Sequence, residues 1–585
     1  MNRRTFFLSA VFALCGCASN NPDGGSPPFF QISEAQTGAY GTRPAFADVR
    51  GELGVLYSTK EGRVALKVGG QPEQLIDATA RVKSGGSFFQ LWSGENVLYA
   101  GWWSHQSGKN IYFTSSRDGG KTFANVSMVN DANDVLPPFT LTKGPQGVLG
   151  MTYQDERAPK FQAYFNRSLD GGLSWQRPDL RLDTPPAGGK SSDVHEPQTV
   201  VSGTSWISAW TDNTYTDGRV LYRIVSRRTD DAGETWSLPT VLHQSDHHFS
   251  SLIVRASGDS VVLAADELNK GVFALTSTDN GRNWRNSNAL AGTAGLSNSG
   301  IAMSIADKRA HLVWMEQRND EKLKIAAASL DVATARWAGD LKRLDSKTHD
   351  NTKSTSPTIM ATERGALVVA WVDYRDIRPN IYFSTSYDQG AAWSTPQALL
   401  NPGEVSAGWP QLINVNGKTL LAYETYPNER VADGVLNVQT LPVDDGAAAM
   451  SRYSTFAQYN DTQKLEKLKQ RIDSLWATRV AGNYAAAYDM FDFAYKAVTP
   501  KKQYVDNAGV ISYLSFAVGD IKVVGNVASV DMKLKYEMKP TIMPSTGKPI
   551  SVPPIEVDSP TRWVWVWNNW YLVYTPSFEP PVLSY

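Results

Sequence analysis

Short strand patterns fill the chain from about residue 43 to residue 441, and a helical pattern replaces them beyond residue 445. Asn110-Ile-Tyr-Phe-Thr114 and Asn380-Ile-Tyr-Phe-Ser384 alternate apolar and polar positions, as half-exposed strands do. Before each comes an apolar strand ending in an aromatic, such as Leu367-Val-Val-Ala-Trp371. After each comes a short motif, S/T-x-D-x-G-x-x-W/F. Its copies run from Ser116 to Phe123, Ser168 to Trp175, Thr229 to Trp236, Ser277 to Trp284 and Ser386 to Trp393, with a stretched copy from Ser329 to Trp337. The aspartates at 118, 170, 231, 279, 331 and 388 step by 52, 61, 48, 52 and 57 residues, the length of one four-stranded propeller blade. Repeats on that scale predict a closed ring.

The motif explains itself as a turn. Glycine supplies the positive φ of a tight hairpin, the Asp and Ser side chains bond the turn's own amides, and the terminal aromatic has a face to bury between sheets. These aspartates are therefore expected to be structural. Two further repeats lack the motif, one starting at Arg43-Pro44 and one at Trp409-Pro410, which makes eight blades, or seven if the first repeat is irregular. Phe29-Phe-Gln-Ile32 aligns with the outermost strands and is expected to complete the last blade, removing an open sheet edge.

Past residue 445, Leu465, Leu468, Ile472, Leu475 and Trp476 form one apolar stripe on a predicted helix. A second helix is predicted over 484–493, followed by strands at 519–524, 527–536, 562–567 and 570–574. Helices followed by an antiparallel sheet predict an α+β unit. Trp563, Trp565 and Trp567 alternate and are expected to share a core-facing side.

The repeated motif resembles the Asp-box (BNR repeat) of sialidase-like β-propellers. The phrases Gly482-Asn-Tyr484, Gly525-Asn-Val-Ala528 and Trp567-Asn-Asn-Trp570 resemble the cone-shaped fold of nuclear transport factor two and its SnoaL-like relatives. That second resemblance implies a pocket and no particular reaction. The expected fold class is thus multidomain: an all-β propeller over residues 29–445, then a small α+β cone over 461–577.

The N-terminus changes the picture of where the protein works. Arg3-Arg4, the apolar run from Phe6 to Leu14 and Leu14-Cys15-Gly16-Cys17 resemble a bacterial lipoprotein signal over residues 1–17, with Cys17 lipidated as the first mature residue. A plain secretory signal cut nearby is the alternative. Either predicts export, with residues 18–28 as a flexible tether and lipid as the membrane contact. Both cysteines fall in the signal, so no disulfide is expected in the fold. With 57 basic and 58 acidic residues, nucleic acid is not an expected partner.

Chemistry is sought where the second strands end, on the rim opposite the Asp-boxes. Asp155, Asp212, Glu316 and Asp373 arrive there, with Glu424 and the pair Asp266-Glu267. Carboxylates so grouped supply acid and base groups or bind a polyhydroxylated ligand; alternatively they pair with arginines of adjacent blades. The sialidase resemblance implies an arginine triad, an acid/base Asp, and a Tyr nucleophile activated by Glu. It makes Arg43 a clamp, with Arg375 a further catalytic candidate. The acid/base Asp is missing from its place, where the chain reads Tyr57-Ser-Thr-Lys60. Arg157, Arg318, His195 and Glu196 are expected to contact ligand. His195 and His247-His248 enter adjacent blades, but no spaced metal motif accompanies them, and no metal or cofactor is expected. The expected function is an exported, lipid-anchored propeller that binds a glycan, peptide or envelope protein without catalysis. The alternatives are a sialidase-type glycoside hydrolase and a scaffold subunit of a membrane complex.

Overall fold

The computed structural model describes residues 30–574, except 34, 36–42, 79–87, 95, 106–107, 159, 185–192, 217–218, 319–321, 346–351, 401–402, 428–432, 454–458, 509–510 and 543–548. The signal, Cys17, the tether and Phe29 lie outside the described residues.

Eight small antiparallel sheets follow one another along the chain, the arrangement of an all-β propeller. Their first strands are Ala45–Val49, Phe89–Gly94, Val135–Lys143, Asp193–Ser202, Phe249–Ser257, Ser297–Ala306, Ser354–Ala361 and Ser406–Val415. First strands of neighbouring sheets touch at every junction but that of the second and third, and the eighth touches the first, so they form the inner wall of a ring. Between the second and third sheets the junction is carried by Phe139 against Gly101. The eighth sheet takes its fourth strand from the other end of the ring: Phe30–Ile32 pairs with Val435–Leu441. Asp48 strengthens that seam, one carboxylate oxygen accepting from the Gly51 amide and the other from the Asn416 amide of the eighth sheet, both at 2.6 Å.

The Asp-box turns behave as their composition requires. In the turn after Asn110–Ser116, Ser116 Oγ donates to Asp118 at 2.8 Å and accepts from the Gly120 amide, while Asp118 accepts from the Thr122 amide and hydroxyl. The same net recurs around Asp170, Asp231 and Asp279. The box aromatic packs on the preceding sheet: Trp175 meets Phe113 edge-on at 5.3 Å and Trp236 meets Phe165 at 5.1 Å. Gly172 lies so close to Phe113 that a Cβ would fall 1.9 Å from its ring, and its φ is +90°. Steric closeness and backbone conformation both demand glycine there.

After the ring come helices Asp461–Val480, Tyr484–Tyr488, Phe493–Val498 and Lys501–Ala508, then a sheet of Ile511–Val524, Val527–Ile542, Pro549–Asp558, Thr561–Val566 and Asn569–Leu572. The long helix opens on Asn460, which accepts from the Gln463 amide while Gln463 bonds back, a capping box. Its buried face holds Leu468, Ile472, Leu475 and Trp476, but also Lys464 and Arg479, while Leu465 is only half-buried. The helix expected over 484–493 is two helices, because Asp492 caps a new one by accepting from the Tyr495 amide at 2.7 Å. Trp563 and Trp565 are buried in the core, whereas Trp567 has φ +50° and sits with Asn568 in the turn joining the last two strands. Two residues with positive φ suit that tight hairpin.

This unit docks on the seventh sheet and on the link from it to the eighth. Asn526 donates to Asp376 at 3.3 Å, Arg378 lies 3.7 Å from Asp492, and Gly403 approaches Val564 and Val566. No helix among the described residues is long and apolar enough to cross a membrane.

Candidate functional site

The inner wall carries a feature that alternation of apolar and polar residues does not announce. In five consecutive first strands the ladder slips at a bulge, and the slipped residue has positive φ: Glu196 +53°, Ser251 +56°, Gly300 +62°, Ser356 +52° and Trp409 +54°. A bulge re-aims the chain next to a site. In the third sheet the slip coincides with Pro137-Pro138. Neighbours in this series touch, since the Gly300 amide donates to Ser251 Oγ at 2.8 Å. The only hint in the sequence is a proline after the slipped residue, as at Pro197, Pro357 and Pro410.

Two members of the series present chemistry. Trp409 is half-buried, and the guanidinium of the exposed Arg43 lies over its ring at 4.4 Å. Glu196, on the fourth sheet, is exposed to water, and its carboxylate has no partner among the described residues. Crowding by surrounding protein nevertheless raises its pKa. Accessible yet enclosed is what a carboxylate inside a channel experiences. His195 beside it is half-buried, packs edge-on against Phe161 at 5.6 Å, and has its pKa lowered by burial, with His248 adding to the effect against the opposing pull of Asp193. The two histidines therefore do approach across adjacent sheets. Among the described residues no group of three His, Cys, Asp or Glu is placed to hold a metal.

The carboxylates at the ends of the second strands are in a different state. Asp155 is buried and gripped by Arg157 from two residues on, with Nε at 2.9 Å and Nη2 at 2.8 Å. Arg157 also bonds Asp131 and Asp179 and lies over Tyr164 at 4.0 Å. Burial works against the Arg157 charge, but those carboxylates win and raise its pKa. Asp373 and Arg375 repeat the arrangement at 2.6 Å, with Arg375 over Tyr382 at 4.2 Å. Glu316 accepts from Arg318 at 3.0 Å and from Arg343 at 2.6 Å. Asp212 takes a two-pronged bond from Arg223, at 2.7 and 2.8 Å. Each of these acids is therefore paired within its own sheet, although Arg157 also reaches Asp131, which follows the fourth strand of the second sheet. An Asp or Glu followed two residues later by Arg puts both on the same face of an extended chain, so the pair closes locally.

One rim acid escapes this fate. Asp266 is buried at the end of Ser260–Glu267, and its hydrogen-bond partners among the described residues are neutral: Asn298 at 2.9 Å and Ser250 at 3.3 Å. Burial pushes its pKa up to about 6, Glu267 adding to it while the two hydrogen bonds oppose. Glu424 is also buried and accepts from Tyr426 at 2.6 Å, but that phenol is fully enclosed and its pKa is raised well above normal by burial. It is a poor nucleophile as it stands.

Residues 82–299 match the family described as BNR repeat-like domain. No curated protein matches the chain. Among solved structures, the chain is similar to NanB sialidase from Streptococcus pneumoniae, at 9% identity and TM-score 0.33, over 72% of this chain and 99% of that one. An ulvan lyase superposes at 10% identity and TM-score 0.38, over 58% and 93%. An α-L-arabinofuranosidase from Fusarium graminearum does so at 14% and 0.33, over 53% and 94%.

Proposed function

We propose that the eight sheets are the blades of one propeller whose inner-wall rim binds a carbohydrate without turning it over. In this reading the chain is exported and held at the cell envelope by lipid on Cys17, and residues 461–577 form a cone domain of the nuclear transport factor two type that serves as a second binding module. The observation that carries the non-catalytic reading is the state of the nominated acids. Asp155, Asp212, Glu316 and Asp373 are each buried and bonded to arginine, so their oxygens are committed as counter-ions. Arg43 over Trp409, with Glu196 elsewhere on the wall, instead offers donors, an aromatic ring and an acceptor, the set that recognises a polyhydroxylated or acidic sugar. A glycan array probed with the mature protein tests this: binding to a restricted glycan set, lost in both Arg43→Ala and Trp409→Ala, is expected. Binding unaffected by either substitution removes the rim from the account.

A glycoside hydrolase is the second reading, and Asp266 favours it. A carboxyl with a pKa of about 6 is protonated often enough near neutral pH to act as general acid. Hydrolysis of a fluorogenic glycoside, abolished by Asp266→Asn, would replace the binding reading with this one.

A further inference from the structure

The junction between the seventh sheet and the C-terminal unit encloses a cavity of ≈ 510 Å³, lined by Trp476, Arg479, Tyr513, Arg562 and Tyr574 on one side and Ile377-Arg378 on the other. That is room for a small organic molecule. The cations on its wall are in unequal states. Arg378 has Asp492 3.7 Å away, and Arg562 is exposed to water. Arg479 is only 3% exposed, yet no carboxylate among the described residues lies within 4.0 Å of it. Its guanidinium sits among the rings of Trp476 at 4.8 Å, Phe491 and Tyr513 at 5.2 Å, and Tyr574 at 5.3 Å. One side-chain hydrogen bond reaches it, a long one of 3.5 Å to the Tyr504 hydroxyl, and Nε is buried with no partner at all.

Ring faces attract a cation, but they accept no hydrogen bond along the N–H direction, and a guanidinium stripped of water without a counter-ion is costly. We infer that this cavity is a binding site for a small organic carboxylate with a flat apolar body, whose two oxygens meet Nε and a terminal nitrogen of Arg479 while the body lies against the aromatic wall. The planar fork of arginine fits a carboxylate in that two-pronged way. One uncompensated positive charge matches one negative charge. A dianion such as phosphate would have to shed far more hydration to reach a guanidinium set among rings.

The test uses the full mature chain and two probes that differ only in charge, 2-naphthoate and the neutral 2-naphthamide, titrated by calorimetry and by quenching of tryptophan fluorescence. Saturable binding of the acid at one site per chain is expected, with the amide at least about tenfold weaker for want of the charge-assisted pair. Arg479→Met should keep the fold, melt no lower than the wild type, and lose the preference for the acid. Equal affinity for acid and amide would overturn the inference, as would undiminished acid binding by Arg479→Met or no saturable binding of the acid up to about 10 mM. The comparison of probes on the wild type decides the matter even if the variant fails to fold.

Discussion

At the Asp-box rim burial pushes the Asp231 pKa up, yet hydrogen bonds from Thr229, Thr235 and turn amides together outweigh it and bring the pKa down to about 2. At the other rim Asp266 is buried, has only neutral partners, and is raised to about 6. Two sheets away, Asp155 is buried too but is paired with Arg157. Residue type therefore says little about what an aspartate does in this molecule. Its donors decide: amides of its own turn make it a fastener, an arginine two residues on makes it a counter-ion, and neutral groups leave it able to change charge near neutrality.

The contrast is broken most severely by removing the cation that satisfies three acids at once. Arg157→Ala leaves Asp155 buried without a positive partner among the described residues, Asp179 with only Arg177 at 3.5 Å, and Asp131 with one bond fewer. A loss of about 3–5 kcal/mol in urea denaturation is expected, the cost of stranding buried charge. Next comes the fastening rim itself. Gly172→Ala puts a methyl into the Phe113 ring at a positive φ, and about 2–3 kcal/mol should be lost.

Asp266→Asn should go the other way. In the unfolded chain an aspartate ionises near pH 4, whereas folded Asp266 ionises at about 6. Between those values the folded state holds the extra proton, so the stability contributed by this group falls as pH rises through the window and its whole penalty is present above it. The variant should therefore be more stable than the wild type by about 1–2 kcal/mol at pH 8, with no difference at pH 4. Asp231→Ala gives the smallest effect, about 1 kcal/mol, because the group is exposed and its hydrogen bonds compete with water. Its pKa is depressed, so the sign reverses: the benefit is full above pH 4 and disappears as pH falls toward 2.

Local chemistry was the legible part of this fold. The Asp-box turns and the strand at Phe30–Ile32 follow from residue types within a few positions of one another or from a repeated register, and both stand where the repeats imply. What distant neighbours decide was not legible. Arg157 reads as a ligand-binding cation until Asp131 and Asp179 are seen to complete its shell. The slipped residues of the inner wall are invisible to alternation, since a bulge adds a residue without breaking the run of strand formers. Lys464 and Arg479 look like solvent-facing residues on an amphipathic helix, although Arg479 does continue the stripe through Ile472 and Trp476. Lys464 is buried because the Gly525 carbonyl and Asn526 receive its ammonium at 2.8 and 2.9 Å, and Arg479 because the sheet strands close over it.

The most direct test of a rim that binds without catalysis is turnover of a fluorogenic panel of glycosides, sialosides included, by protein beginning at Cys17. The account predicts that no fluorophore is released, even where the same glycosides bind and protect the protein from thermal unfolding. Release that disappears in Arg43→Ala or Asp266→Asn would contradict it and would make the channel an active site.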